Sequence, residues 1–156
     1  MNKKILVFGL GDTHQTDDGI GVHVVNYLKK RNRLKNAEII DGTLLSTNLT
    51  EAFSNIDQII VVETVEFNSD PGSVRVFEGI EMDAFVTRGK MTCVHKTGLN
   101  HILNLTRSHG RLPNHRALVG IQPGSLNQGM EPSEKVASAI PKACQRVFEI
   151  SSNWVI

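Results

Sequence analysis

Apolar residues recur along the chain in two alternating periods. Ile5 to Phe8 is a continuous apolar run ending in Gly9-Leu10-Gly11, as expected of a strand buried on both faces. Ile20, Val24, Val25 and Leu28 then fall at helical spacing. Ala37 to Ile40, before Asp41-Gly42, predicts a second strand, Thr47 to Phe53 a helix, and Gln58 to Val62 a third strand rich in β-branched residues. Pro71-Gly72 marks a turn, and Ser73 to Phe77 alternates like a half-buried strand; so soon after the third strand, it predicts an antiparallel edge. The polar segment that follows, through Cys93, reads as irregular. Leu99, Ile102, Leu103 and Leu105 share a helical face within Thr97 to Ser108, and Ala117 to Ile121 predicts the last strand before Pro123-Gly124. Ser133 to Ile150 predicts a closing helix, with Pro141 as a kink or break.

Strands alternating with helices predict an α/β fold, a three-layer sandwich whose mostly parallel twisted sheet has about five strands and one antiparallel edge strand, with helices on both faces. At 156 residues and 40% hydrophobic content, the chain suits one domain spanning residues 1–156. Neither repeats nor a linker interrupt it. Seventeen Lys and Arg against sixteen Asp and Glu leave a net charge of +1, with no electrostatic footprint for nucleic acid or an anionic membrane. Met1-Asn2-Lys3-Lys4 looks like the start of a signal peptide, but the apolar run Ile5 to Leu10 is too short and is followed at once by polar, Gly-rich sequence. No stretch approaches the roughly 20 apolar residues that span a bilayer. Cys93 and Cys144 form neither a CxxC pair nor a disulfide framework. These features lead us to expect a cytoplasmic protein without membrane insertion.

In an open α/β sheet, ligands bind beyond the carboxyl ends of the strands. After the first strand come Asp12 and the adjacent acids Asp17 and Asp18 at a helix start; the third strand ends in Glu63; and His95 lies two residues after Cys93. One carboxylate from each of two strand ends plus an imidazole is a workable first shell for a divalent metal, with positions left open for water or a substrate ligand. Each residue also has a plainer reading. Asp17 and Asp18 equally suit first-turn acids of a helix capped by Thr16. Glu63, abutting Ile59-Ile60-Val61-Val62, suits a buried salt bridge, and a lone histidine beside Lys96 suits the surface.

Other chemistries fit less well. Gly9-Leu10-Gly11 resembles the start of a dinucleotide fingerprint, but His14 stands at the third glycine position and the loop before the helix is too long for a pyrophosphate cradle. GxSxG is absent, and Cys93 with His95 at i, i+2 carries no evident nucleophile–base geometry.

Gly9-Leu10-Gly11-Asp12 through Asp17-Asp18-Gly19-Ile20-Gly21-Val22 resembles the opening of the hydrogenase maturation endopeptidase family. Asp41-Gly42-Thr43, Glu63, Pro71-Gly72, the segment His95 to Leu99, and Gly120-Ile121-Gln122-Pro123-Gly124-Ser125-Leu126 resemble later family landmarks in the same order. The resemblance implies an endopeptidase that removes the C-terminal extension of a nickel-loaded [NiFe] hydrogenase large-subunit precursor. It further implies that Asp18, Glu63 and His95 recognise the precursor's nickel, that Asp17 is an acid/base candidate beside Asp18, and that a surrogate divalent ion can stand in for nickel. Asp12 stands where the family usually has Asn, Glu63 where it has Asp, and Asp41-Gly42-Thr43 lacks the family's doubled glycine. These departures leave open a rival function, a non-catalytic relative that binds the precursor or checks nickel insertion.

Overall fold

The computed structural model describes residues 3–42, 56–88, 92–93, 99, 103–104, 107–108 and 112–154. Along them run β1 (Ile5–Gly9), a 3-10 turn (Thr16–Gly19), α1 (Ile20–Arg31), β2 (Ala37–Asp41), β3 (Gln58–Glu66), β4 (Val74–Glu78), α2 (Ile80–Arg88), β5 (Thr92–Cys93), β6 (His115–Ile121), α3 (Glu134–Ala137) and α4 (Ile140–Trp154). Among the described residues the sheet has the order β2-β1-β3-β6-β4. β1 is parallel to β2 and β3, and β3 to β6, whereas β4 runs antiparallel to β6 at the edge. The expected mixed α/β sheet with one antiparallel edge strand is therefore present. The short β5 adds an antiparallel pairing to the end of β3, with Val65 opposite Cys93.

Side chains alternate across the sheet and build a core on each face. Ile5 and Val7 of β1, Ile60 and Val62 of β3, and Val119 and Ile121 of β6 pack under α1 and α4. Leu6, Phe8, Ile59, Val61 and Leu118 face the other way, against α2 and against Leu99 and Leu103. Near-complete burial of each aliphatic side chain contributes roughly 1.5–3 kcal/mol, which explains why β1 and β3 read as unbroken apolar runs. α4 joins the first core through Ala143, Val147, Ile150 and Trp154, a stripe at helical spacing. Cys144 lies in the same seam, where burial pushes its thiol pKa up to about 11 despite the nearby positive charge of Arg31, so it stays protonated and inert.

Two stretches differ from the sequence-based expectation. The segment after β4 is not irregular: α2 buries Met82, Phe85 and Val86, and Asp83 in its first turn forms a 2.6 Å ion pair with Arg116 of β6. Its helical period is short and is diluted by Glu81, Asp83 and Arg88. The closing helix is broken before Pro141, at Ser138-Ala139, and α4 continues to Trp154. Pro141 sits in the first turn of α4, where its missing N–H costs nothing. Of the helix expected over Thr97 to Ser108, residues 99, 103–104 and 107–108 are described and are helical; the helix expected over Thr47 to Phe53 lies outside the described residues.

The chain leaves β1 through α1 to reach β2 on one side, while β3 pairs on the other. The carboxyl ends of β1 and β3 therefore flank a switch point, the usual location of a ligand crevice. Close contact there depends on Gly21. A Cβ at that position would lie 2.2 Å from the Val62 carbonyl oxygen and 2.4 Å from that of Leu10. Gly21→Ala should gain about 1 kcal/mol of helix propensity but lose more to this backbone clash. We expect a net destabilisation of about 2 kcal/mol or more, read as a lower urea midpoint.

Candidate functional site

The loop from β1 to α1 folds tightly on itself. Gly11 has φ +145°, and a Cβ there would meet the Asp18 carbonyl oxygen at 2.0 Å. Asp12 Oδ1 accepts the His14 N–H at 2.8 Å, and the Asp12 N–H donates to Asp18 Oδ2 at 3.2 Å. An Asn at position 12 would accept the same bond from His14, so this departure from the family pattern preserves the turn. Asp18 is 5% exposed and Glu63 is fully buried; β3 runs on to Glu66 instead of ending at Glu63 as the sequence suggested, so Glu63 lies within the strand, just past the point where its pairing with β1 stops at Val62. The Thr64 hydroxyl donates to the Asp17 carbonyl oxygen at 2.9 Å, tying the residue before Asp18 to the residue after Glu63. The two carboxylates thus stand at the same end of the β1–β3 pair.

Asp17 has a different environment. Its Oδ2 accepts the Gly124 N–H at 2.8 Å, the Ser125 N–H at 2.7 Å and the Ser133 hydroxyl at 2.8 Å, and its Oδ1 accepts the Ser133 N–H at 2.6 Å. Burial pushes its pKa up, but the hydrogen bonds from Ser125, Ser133 and Gly124 outweigh that and hold it below the ordinary value of 3.8. Thr16 does not act as the helix cap that the sequence suggested. The cap position belongs to Gln15 and carries no side-chain cap bond, and the Thr16 hydroxyl donates instead to the carbonyl oxygens of Ser125 at 2.6 Å and Asn127 at 2.9 Å. Thr16 adopts φ 47°, a conformation strained for a β-branched residue. It is held there by bonds from its N–H and hydroxyl to the 125–129 loop.

Of the sequence-derived site, Asp18 lies in the turn after β1 and Glu63 in β3, the two strands that flank the switch point, and Asp17 faces the 124–133 loop. His95 and Thr43 lie outside the described residues. Among the described residues no group of three or more His, Cys, Asp or Glu side chains is placed to hold a metal ion; of the three ligands expected from the sequence, Asp18 and Glu63 are among those residues. Thr64 was not singled out from the sequence, Ser133 appeared only as the start of the closing helix, Thr16 only as a helix cap, and Gly124 and Ser125 only within a family landmark; none was linked to Asp17. Ser133 carries the usual signal of a helix N-cap, but nothing local to the sequence links it to Asp17, 116 residues earlier.

Because the pKa of Asp17 is lowered on folding, its contribution is present above the ordinary carboxylate range and is lost as pH falls through 3.8 toward the folded value. Asp17→Asn removes the charge and turns an amide toward N–H donors. At pH 7 it should cost about 3 kcal/mol, and the gap from wild type should narrow below pH 3.8 in denaturation curves taken across the acid range.

The hydrogenase maturation protease family matches residues 22–150. The chain is 30% identical over 147 residues to the hydrogenase 2 maturation protease of Escherichia coli, covering 93% of this chain and 88% of that protein. It is 29% identical over 153 residues to the hydrogenase expression/formation protein HupD of Rhizobium leguminosarum, covering 97% and 75%. The solved hydrogenase maturating endopeptidase HybD from E. coli superposes with a TM-score of 0.79 at 29% identity, over 94% of this chain and 90% of that one. Family model, sequence and fold agree, and the chain belongs to the hydrogenase maturation protease family.

Proposed function

We propose that this protease removes the C-terminal extension of a nickel-loaded [NiFe] hydrogenase large-subunit precursor and recognises the precursor's nickel through Asp18, Glu63 and His95. The observation that carries this reading is the placement of two nearly inaccessible carboxylates, Asp18 and Glu63, one in the turn that follows β1 and one in β3 just past the end of its pairing with β1. Like charges gathered in a poorly solvated crevice favour a cation between them. β5 pairs antiparallel with β3, with Cys93 opposite Val65, two residues beyond Glu63, and His95 follows Cys93 by two residues in the sequence. A carboxylate–carboxylate–imidazole set suits nickel and leaves coordination positions for the precursor's own ligands.

On this reading the nickel arrives as part of the substrate, and the three side chains act first as a handle that admits only loaded precursor. Glu63 reaches one methylene farther from β3 than the Asp usual in the family, so the ion sits farther from the strand end. Asp17 is a positioning residue. Its carboxylate oxygens are occupied by N–H and O–H donors, which suits a brace better than a proton carrier.

Incubating the purified protein with nickel-loaded and nickel-free precursor tests the proposal. We expect the loaded form alone to lose the mass of a C-terminal peptide; binding without a mass change would sink it. Asp18→Ala, Glu63→Ala and His95→Ala should each slow cleavage by about 100-fold or more, exceeding the 10–100-fold typical of residues behind the ligands, while melting stays cooperative. Normal cleavage by all three would remove this site assignment.

A further inference from the structure

The net charge of +1 conceals a separation of charge around α1. From Gly19 to Ala37 the chain has no acid, yet Lys29, Lys30, Arg31, Arg33 and Lys35 gather there, and all of them are exposed. Lys29, Lys30 and Arg31 lie in the last turn of α1, where cations complement the helix dipole, but Arg33 and Lys35 lie beyond it. Among the described residues none of these cations forms an ion pair. Glu38, the next acid along the chain, is paired with Lys4 at 2.6 Å, and the Glu149 carboxylate on α4 is held by Gln145 and Arg146. The cations surround a cavity of about 250 Å³, bordered by Arg31 and Arg33 and lined by Leu28, Leu34, Cys144 and Phe148. Phe148 is 42% exposed there. The Asn36 carbonyl oxygen accepts the Ile5 N–H at the start of β1, so this surface lies at the amino ends of the strands, a helix length of roughly 18 Å from the crevice.

We propose that the α1–α4 surface docks an acidic polypeptide segment, which seats one apolar side chain in the cavity and sets carboxylates against Arg31 and Arg33. Cations without internal partners call for external anions, and an apolar floor calls for an apolar group; a polypeptide supplies both at adjacent residues. The cavity is smaller than the roughly 300–1,000 Å³ of small-molecule sites, which suits a single anchoring side chain. Nucleic acid offers phosphates but no aliphatic group for the floor, and a lipid surface does not reach into a concave site. Two copies joined about a twofold axis through this face would set cation against cation. Guanidinium groups take carboxylates in a two-bond geometry. Arg31 already donates to the Tyr27 hydroxyl and lies 4.8 Å from that ring's centroid, so docking costs it little further ordering. None of this depends on the roles of Asp18 and Glu63.

Fluorescence anisotropy tests the proposal, using the full chain and a labelled, capped peptide with one leucine between short runs of glutamate. We expect saturable one-to-one binding. Arg33→Glu/Lys35→Glu, which leaves the Arg31–Tyr27 contact in place, should weaken it about tenfold or more, as should Phe148→Ser and replacement of the peptide's leucine by serine, with unchanged melting midpoints. Raising salt from about 0.1 M to about 1 M, which shortens the Debye length from about 10 Å to about 3 Å, should also weaken it. Asp18→Ala should bind as wild type, which keeps this outcome separate from the reading of the crevice. Absence of binding overturns the proposal, as does equal affinity for the serine peptide or for the folded surface variants. Tighter binding of single-stranded DNA or of phosphatidylserine vesicles, or self-association of the free chain that excludes the peptide, overturns it as well.

Discussion

A buried carboxylate cannot be left without donors, and Asp17 meets that requirement by drawing in a loop more than a hundred residues away. Its oxygens take the backbone N–H groups of Gly124, Ser125 and Ser133 and the Ser133 hydroxyl. Those bonds close the space between the end of β6 and the start of α3, and they keep the carboxylate ionised against the cost of burial. The neighbouring Thr16 accepts a strained backbone for the same connection. Once this loop is fixed, the rim of the crevice over β1 and β3 is fixed with it.

Two adjacent acids of the same type therefore do different work. Asp17 points into a ring of donors and behaves as structure. Asp18, the next residue, is held by the Asp12 N–H in a turn tied to the end of β3 through Thr64. Charge wrapped in N–H donors, as at Asp17, is the arrangement expected of a brace, and it is Asp18 with Glu63 that the proposed function uses to meet the precursor's metal.

Much of the fold was legible because burial on both faces leaves an unmistakable mark. Ile5 to Phe8 and Ile59 to Val62 could only be central strands, and α1 was visible from Ile20, Val24, Val25 and Leu28. α2 was not, since its three buried residues are interleaved with Glu81, Asp83 and Arg88, and one of those charges turned out to be paired across to Arg116. Pro141 correctly signalled an interruption, but its effect was to begin α4 after a turn rather than to bend one long helix.

The candidate acids could be picked out of the sequence because hydrophobic runs locate the strands, although β3 does not stop where its apolar run does and continues past Glu63 to Glu66. That reasoning placed Asp17, Asp18 and Glu63 at the crevice. It could not separate Asp17 from Asp18, because the difference lies in which donors reach each side chain, and those donors come from Gly124, Ser125 and Ser133 at the far end of the chain. Local pattern therefore determined the strands, the helices that follow them and the presence of acids at the switch point. Tertiary packing alone decided which acid is braced and which stands at the crevice, since hydrogen bonds between residues more than a hundred positions apart leave no periodic trace in a sequence.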